Sequence, residues 1–185
     1  MTATSLIILV VVLVAIALVV FMLFRERSRK LRSRFGPEYD RVVQQRGSTL
    51  TAERELEHRA KRVENFHIHP LAEADREKFA HEWRITQEKF VDDPRGALAD
   101  ADRLVHSAMK ARGFPIGGEF VERAADLSVE HPRVVDHYRA GHEIAVRDER
   151  APVSTEDLRL AMKHYRALFE DLLGRHVGEM TGARK

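Results

Sequence analysis

The spacing of hydrophobic residues changes character at Arg25. Ahead of it, from Leu6 to Phe24, the run LIILVVVLVAIALVVFMLF holds nineteen consecutive residues with no charged or hydrogen-bonding side chain. As a helix rising about 1.5 Å per residue, the run covers roughly 28 Å, close to the roughly 30 Å hydrocarbon thickness of a bilayer. Sixteen of the nineteen are Leu, Ile, Val or Phe. Each favours insertion by roughly 0.3 to 0.6 kcal/mol, and no polar residue opposes them. The pattern predicts a transmembrane helix over residues 6–24, preceded by a short N-terminal tail, residues 1–5.

Behind Arg25 the apolar residues recur at intervals of three and four, the period of helices that bury one face. Phe35-Gly36-Pro37 interrupts the helix leaving the run. Pro37 suits a helix start, Glu38 and Asp40 sit at the positive end of its dipole, and Gly47-Ser48-Thr49 stops it after Gln45. Thr51 is placed to cap a second helix, in which Leu56, Ala60 and Val63 make a narrow stripe while Glu55 with Arg59 and Glu57 with Lys61 pair at four-residue spacing. The extended segment His67-Ile68-His69-Pro70 closes it. A third helix, Ala72 to Val91, carries Phe79, Trp83, Thr86 and Phe90 along one face. Asp93-Pro94 reads as cap and first residue of a fourth, whose Leu98, Ala101, Val105, Ala108 and Arg112 continue the spacing until Gly113. Shorter helices follow over Glu119 to Leu127 and from His131-Pro132 to near Arg147.

The last helix has the clearest pattern. Ser154-Thr155-Glu156-Asp157 supplies a capping hydroxyl and first-turn acids, and Leu158, Met162, Tyr165, Phe169 and Leu172 then follow at heptad spacing to the stop at Gly174. Two heptads fall short of the three or four that an independent coiled coil needs, so the seam is expected to pack on the chain's own helices. It is also the candidate interaction face. Residues 174–185 carry too little apolar surface to fold and read as a flexible tail. The fold class expected is all-α: the transmembrane helix, then a compact bundle of about five to six helices within residues 35–173, with no strand alternation anywhere.

Charge changes this picture more than composition does. The formal net charge of +2 averages unlike parts. The juxtamembrane neck, residues 25–34, has Arg25, Arg27, Arg29, Lys30, Arg32 and Arg34 against Glu26, whereas residues 35–173 carry 22 basic and 27 acidic side chains. A mildly acidic body argues against nucleic acid as a partner. The first five residues contain no Lys or Arg, and positive flanks stay in the cytoplasm, so the expected location is the inner membrane, single-pass, with the C-terminal body cytoplasmic. A cleaved signal peptide would need a basic start, a shorter apolar core and a small-x-small cleavage site, and none is present. The neck beside an anionic leaflet offers about 1 kcal/mol of attraction per cation.

Candidate chemistry is sparse. The absence of cysteine excludes disulfides, thiolate metal sites and cysteine nucleophiles. Glu55 with His58 and Glu64 with His67 match the Glu-x-x-His spacing of di-iron bundles, but the apolar stripe beside them leaves no inward carboxylates to complete such a site. His67 and His69 alternate on an extended segment and point the same way, and His131 and His137 lie around a proline-initiated junction with Asp126, Glu130, Asp136 and Tyr138. These four histidines are the metal candidates. The serines at 107, 128 and 154 lack a nucleophile elbow, and His81-Glu82 and His142-Glu143 have Ile85 and Val146 where a zinc-protease motif needs its second histidine. Gly113, Gly117 and Gly118 lack the flanking strand and Lys of a phosphate loop. No catalytic residue and no cofactor is assigned.

The stretches LRSRFGPEYDRVV, FVDDPRGALADADRLV and ADLSVEHPRVVDHYRA together resemble a family of uncharacterised bacterial proteins with one N-terminal membrane span and a small helical body. The resemblance implies the same layout and no activity. The function expected is a non-enzymatic interaction or scaffold module, meeting the lipid bilayer and a protein partner or a second copy of itself. Two alternatives stand beside it: a His-based metal-binding or hydrolytic enzyme, and an anionic-lipid-sensing anchor.

Overall fold

Eight α-helices and no strand make up the regular structure among the described residues; the computed structural model describes the backbone of residues 3–174 and the side chains of residues 11–174. The chain divides into two compact units, Met1–Glu57 and His58–Lys185.

In the first unit, α1 (Ala3–Phe35) runs without interruption through the basic neck. It stops at Gly36, whose φ of 48° is a conformation that glycine enters without strain, and Pro37 opens α2 (Pro37–Arg46). The unit also takes in the first half of α3 (Thr49–Glu64), which starts two residues ahead of the expected cap at Thr51. Leu31, Phe35, Tyr39, Val42, Ala52 and Leu56 are its buried apolar residues. Among them sits Glu53, 3% exposed, which accepts from the Ser28 hydroxyl at 2.5 Å and the Tyr39 hydroxyl at 2.8 Å. Burial, and then the hydrogen bond to Glu53, raise the Tyr39 phenol above its ordinary value. Arg27 forks onto Glu57, Nε at 2.5 Å and its second nitrogen at 2.7 Å.

The transmembrane helix expected over residues 6–24 is not upheld. Among the described residues no helix is long and apolar enough to cross a membrane. The side chains described on α1 ahead of the neck, Val11 to Phe24, are all exposed, and Arg25, Glu26 and Arg27 follow them. Among the described residues seven helices follow α1, against the five to six expected.

The second unit holds α4 (Glu73–Lys89), α5 (Pro94–Ala111), α6 (Phe120–Glu130), α7 (Val135–Arg150) and α8 (Thr155–Leu172). Helix α8 packs on both α5 and α7, α4 lies on α5, and α6 lies on α7. The α8 seam is the centre of the core: Leu158, Met162, Tyr165, Phe169 and Leu172 are all buried. Trp83 stacks on Phe169 at 4.6 Å, and Phe79 meets the same ring edge-on at 6.3 Å. Each such burial contributes roughly 1.5 to 3 kcal/mol. At the crossing of α7 and α8, Gly141 faces His164 and Tyr165, and a Cβ there would meet them at 3.5 Å, an ordinary van der Waals contact. Arg62, late in α3, binds the buried Asp126 of α6 at 2.7 Å, yet burial still holds that carboxyl above its usual range. Of the tail expected at residues 174–185, all but Gly174 lies outside the described residues.

Candidate functional site

Within the second unit α5 and α7 leave a cavity of about 330 Å³ between them, floored by Tyr165 of α8. Leu98, Ala145 and Val146 form its apolar wall, while Asp102 and His142 supply polar groups inside and Glu149 stands at the rim. Local helix geometry sets this arrangement. Leu98 and Asp102 are four apart on α5, and His142, Ala145, Val146 and Glu149 repeat at three and four on α7, so each set shares one helix face.

The Tyr165 side chain is fully buried. Burial first, then the facing charge of Asp102 and the hydrogen bond to it, push the Tyr165 phenol far above its ordinary value, so it stays a proton donor. Asp102 Oδ2 lies 3.5 Å from His106 Nδ1, and His106 Nε2 meets the Tyr138 hydroxyl at 3.0 Å. His142 stacks on Phe120, ring centres 3.6 Å apart, and burial lowers its basicity. At the end of the cavity Arg95 forks onto Asp148 at 3.0 and 3.2 Å, joining α5 to α7.

The four histidines singled out in the sequence do not converge. His67 and His69 are exposed; His69 is held by its backbone, its N–H donating to the Arg112 carbonyl at 3.0 Å. His131 is buried at the end of α6 with both ring nitrogens engaged, one by Arg112 at 2.9 Å and the other by Asp171. Arg112 also donates to the Leu172 carbonyl at 3.3 Å, so one guanidinium ties α5 to the last turn of α8; burial lowers its pKa. His137 reaches His164 of α8 instead, Nδ1 to Nδ1 at 2.9 Å. Their ring centres are 5.2 Å apart, so the two nitrogens face one another nearly head-on in the geometry of a shared proton. Among the described residues no group of three or more His, Asp or Glu is placed to hold a metal ion.

The interaction face Leu158, Met162, Tyr165, Phe169 and Leu172 lies inside the core and is covered by the chain itself. The neck divides by use. Arg27 is committed to Glu57, and Arg32 reaches Asp40 at 3.4 Å and lies over the Tyr39 ring at 4.9 Å. Arg34 is engaged as well. Arg25, Arg29 and Lys30 stay exposed with no ion pair among the described residues. Sequence reasoning missed the cavity. Its one local trace was a tyrosine standing in an otherwise apolar seam.

No protein-family model, no curated protein and no solved structure matches the chain. The side chains alone carry the functional reading.

Proposed function

We propose that this chain is a non-enzymatic helical interaction module held at the cytoplasmic face of a bacterial membrane, with the apolar sector of α1 in lipid and the charge-rich body outside it. One observation carries the reading: from Val11 to Phe24 every side chain of α1 is exposed, on all sides of the helix. A helix that is apolar all round is stable only within an apolar phase. The reading asks that this sector enter hydrocarbon, not that it cross. Arg25, Arg29 and Lys30 follow it without ion pairs, and each adds about 1 kcal/mol beside anionic lipid, which favours the cytoplasmic leaflet. An interaction role is favoured over histidine chemistry because the ring nitrogens of His131 are already spent on Arg112 and Asp171.

Flotation of the full chain with lipid vesicles tests this. The protein is expected to rise with neutral phosphatidylcholine vesicles and more completely with vesicles containing phosphatidylglycerol. Replacing Val14 and Leu18 with Asp should abolish both, while Arg29→Glu with Lys30→Glu should remove only the anionic preference. A full chain that stays monodisperse in detergent-free buffer and ignores both vesicles overturns the proposal.

A further inference from the structure

We propose that His137 of α7 and His164 of α8 form a two-histidine chelate for a divalent transition-metal ion of the copper or nickel kind, a clip that pins the last helix to its neighbour. This stands independently of the membrane reading. The two Nδ1 atoms are 2.9 Å apart, on residues separated by 27 positions in the chain. Two imidazole nitrogens that each lie about 2.0 to 2.1 Å from one ion are roughly 2.9 Å apart at adjacent corners of a square, and roughly 3.3 Å apart at tetrahedral angles. The observed separation is the first of these. Imidazole suits copper, nickel and zinc, and a tetragonal set of nitrogen and oxygen ligands suits copper(II) and nickel(II) in particular.

The helix crossing holds the pair in place. His137 and Gly141 share one face of α7, a turn apart. A Cβ at Gly141 would meet the His164 Cβ at 3.5 Å, so the stem of His164 sits against the face that carries His137. His137 is exposed and His164 half-buried, so an ion reaches the pair from solvent. Without metal the rings face each other across one hydrogen, one nitrogen donating and the other accepting. Each ring tilts about its side-chain bonds to bring both lone pairs onto an ion set to one side of that line, and the exposed His137 ring has solvent to turn into. The proton balance is even. The donor ring carries its hydrogen on Nε2 instead of Nδ1, neither ring changes charge, and both offer the neutral nitrogen that a metal needs. Among the described residues no third protein ligand joins them, so water completes the coordination shell and the ion acts as a cross-link between helices.

The test is thermal unfolding of the full chain in detergent micelles with nickel(II), copper(II) or magnesium chloride added. Only the folded chain holds both rings together, so nickel at about ten times its Kd should raise the midpoint by about 3 to 6 °C, whereas magnesium should leave it unchanged. Copper(II) should act at lower concentration than nickel. His137→Gln and His164→Gln should each abolish the rise, and His67→Gln with His69→Gln, which removes the other closely spaced pair, should keep it. The midpoint of each variant without metal shows that it is folded. The paramagnetic resonance of bound copper(II) should carry the splitting of two imidazole nitrogens in its equatorial plane. Four results overturn the proposal: no rise with nickel up to about 1 mM, weaker than any useful site; an equal rise with magnesium; an undiminished rise in folded His137→Gln or His164→Gln; or a rise lost on replacing His67 and His69.

Discussion

Replacing His131 with alanine would leave Arg112 and Asp171 facing a void, both of them tied at present by the two nitrogens of one ring. The expected cost is about 3 kcal/mol, read as a lower urea midpoint, because a buried charge losing its partner outweighs the packing lost. His131 and His137 attracted attention together because they are near in sequence, but a helix turns them apart, and each found its partner on α8, which sequence spacing does not foretell. The same distance hid Asp102 from Tyr165. Two other histidines give a pH signature. Burial lowers the basicity of His142, and burial followed by the neighbouring His137 lowers that of His164. Both rings therefore bind fewer protons folded than unfolded, so stability should be full above about pH 7 and fall as pH drops below the ordinary histidine value of about 6.5. Urea midpoints at two pH values on either side should show the decline, and His142→Gln with His164→Gln should flatten it. The lowered carboxylates Asp100, Glu156 and Asp157 work in a separate window, since their contribution is lost only as pH falls below about 4.

Helix ends were legible where a side chain does the capping. Asp93 accepts from the Gly96 N–H at 2.9 Å, and Ser154 and Asp157 form a reciprocal capping box at the start of α8, both at positions where the residue types foretold a helix start. Ser154→Ala should cost about 1 kcal/mol, measured as a lowered thermal or urea midpoint with the helical circular-dichroism signal retained. Ends set by the backbone were less legible. Helix α6 runs to Glu130 rather than Leu127, because the His131 N–H still finds the Leu127 carbonyl at 2.8 Å, and α7 accordingly starts at Val135, beyond the expected proline start. Gly113 was read as a helix stop from its type alone. Its φ of 90° agrees, and the tertiary reason is closer: a Cβ there would sit 2.2 Å from the His67 carbonyl oxygen, backbone that has nowhere to move. No pattern in α5 announces that contact, since it belongs to the loop ahead of α4.

For the molecule as a whole, the all-α class was readable from period and caps, whereas the crossing helix was not sustained: among the described residues no helix is long and apolar enough to cross a membrane. Lipid attachment should accordingly show two parts with different salt responses. Raising ionic strength from 0.1 to 1 M shortens the screening length from about 10 to about 3 Å, so the preference for anionic vesicles should vanish while recovery on neutral vesicles persists in the same flotation assay. The central position of α8 also has a consequence for biosynthesis. The helix that fills the core of the second unit is translated after every helix it packs against, so α4 to α7 leave the ribosome with their apolar faces uncovered and wait for Leu158 to Leu172. A chain ended at Val153 should behave as an aggregation-prone intermediate with loose packing, seen as dye binding and lost near-ultraviolet dichroism, and nascent chains should become protease-resistant only after α8 emerges.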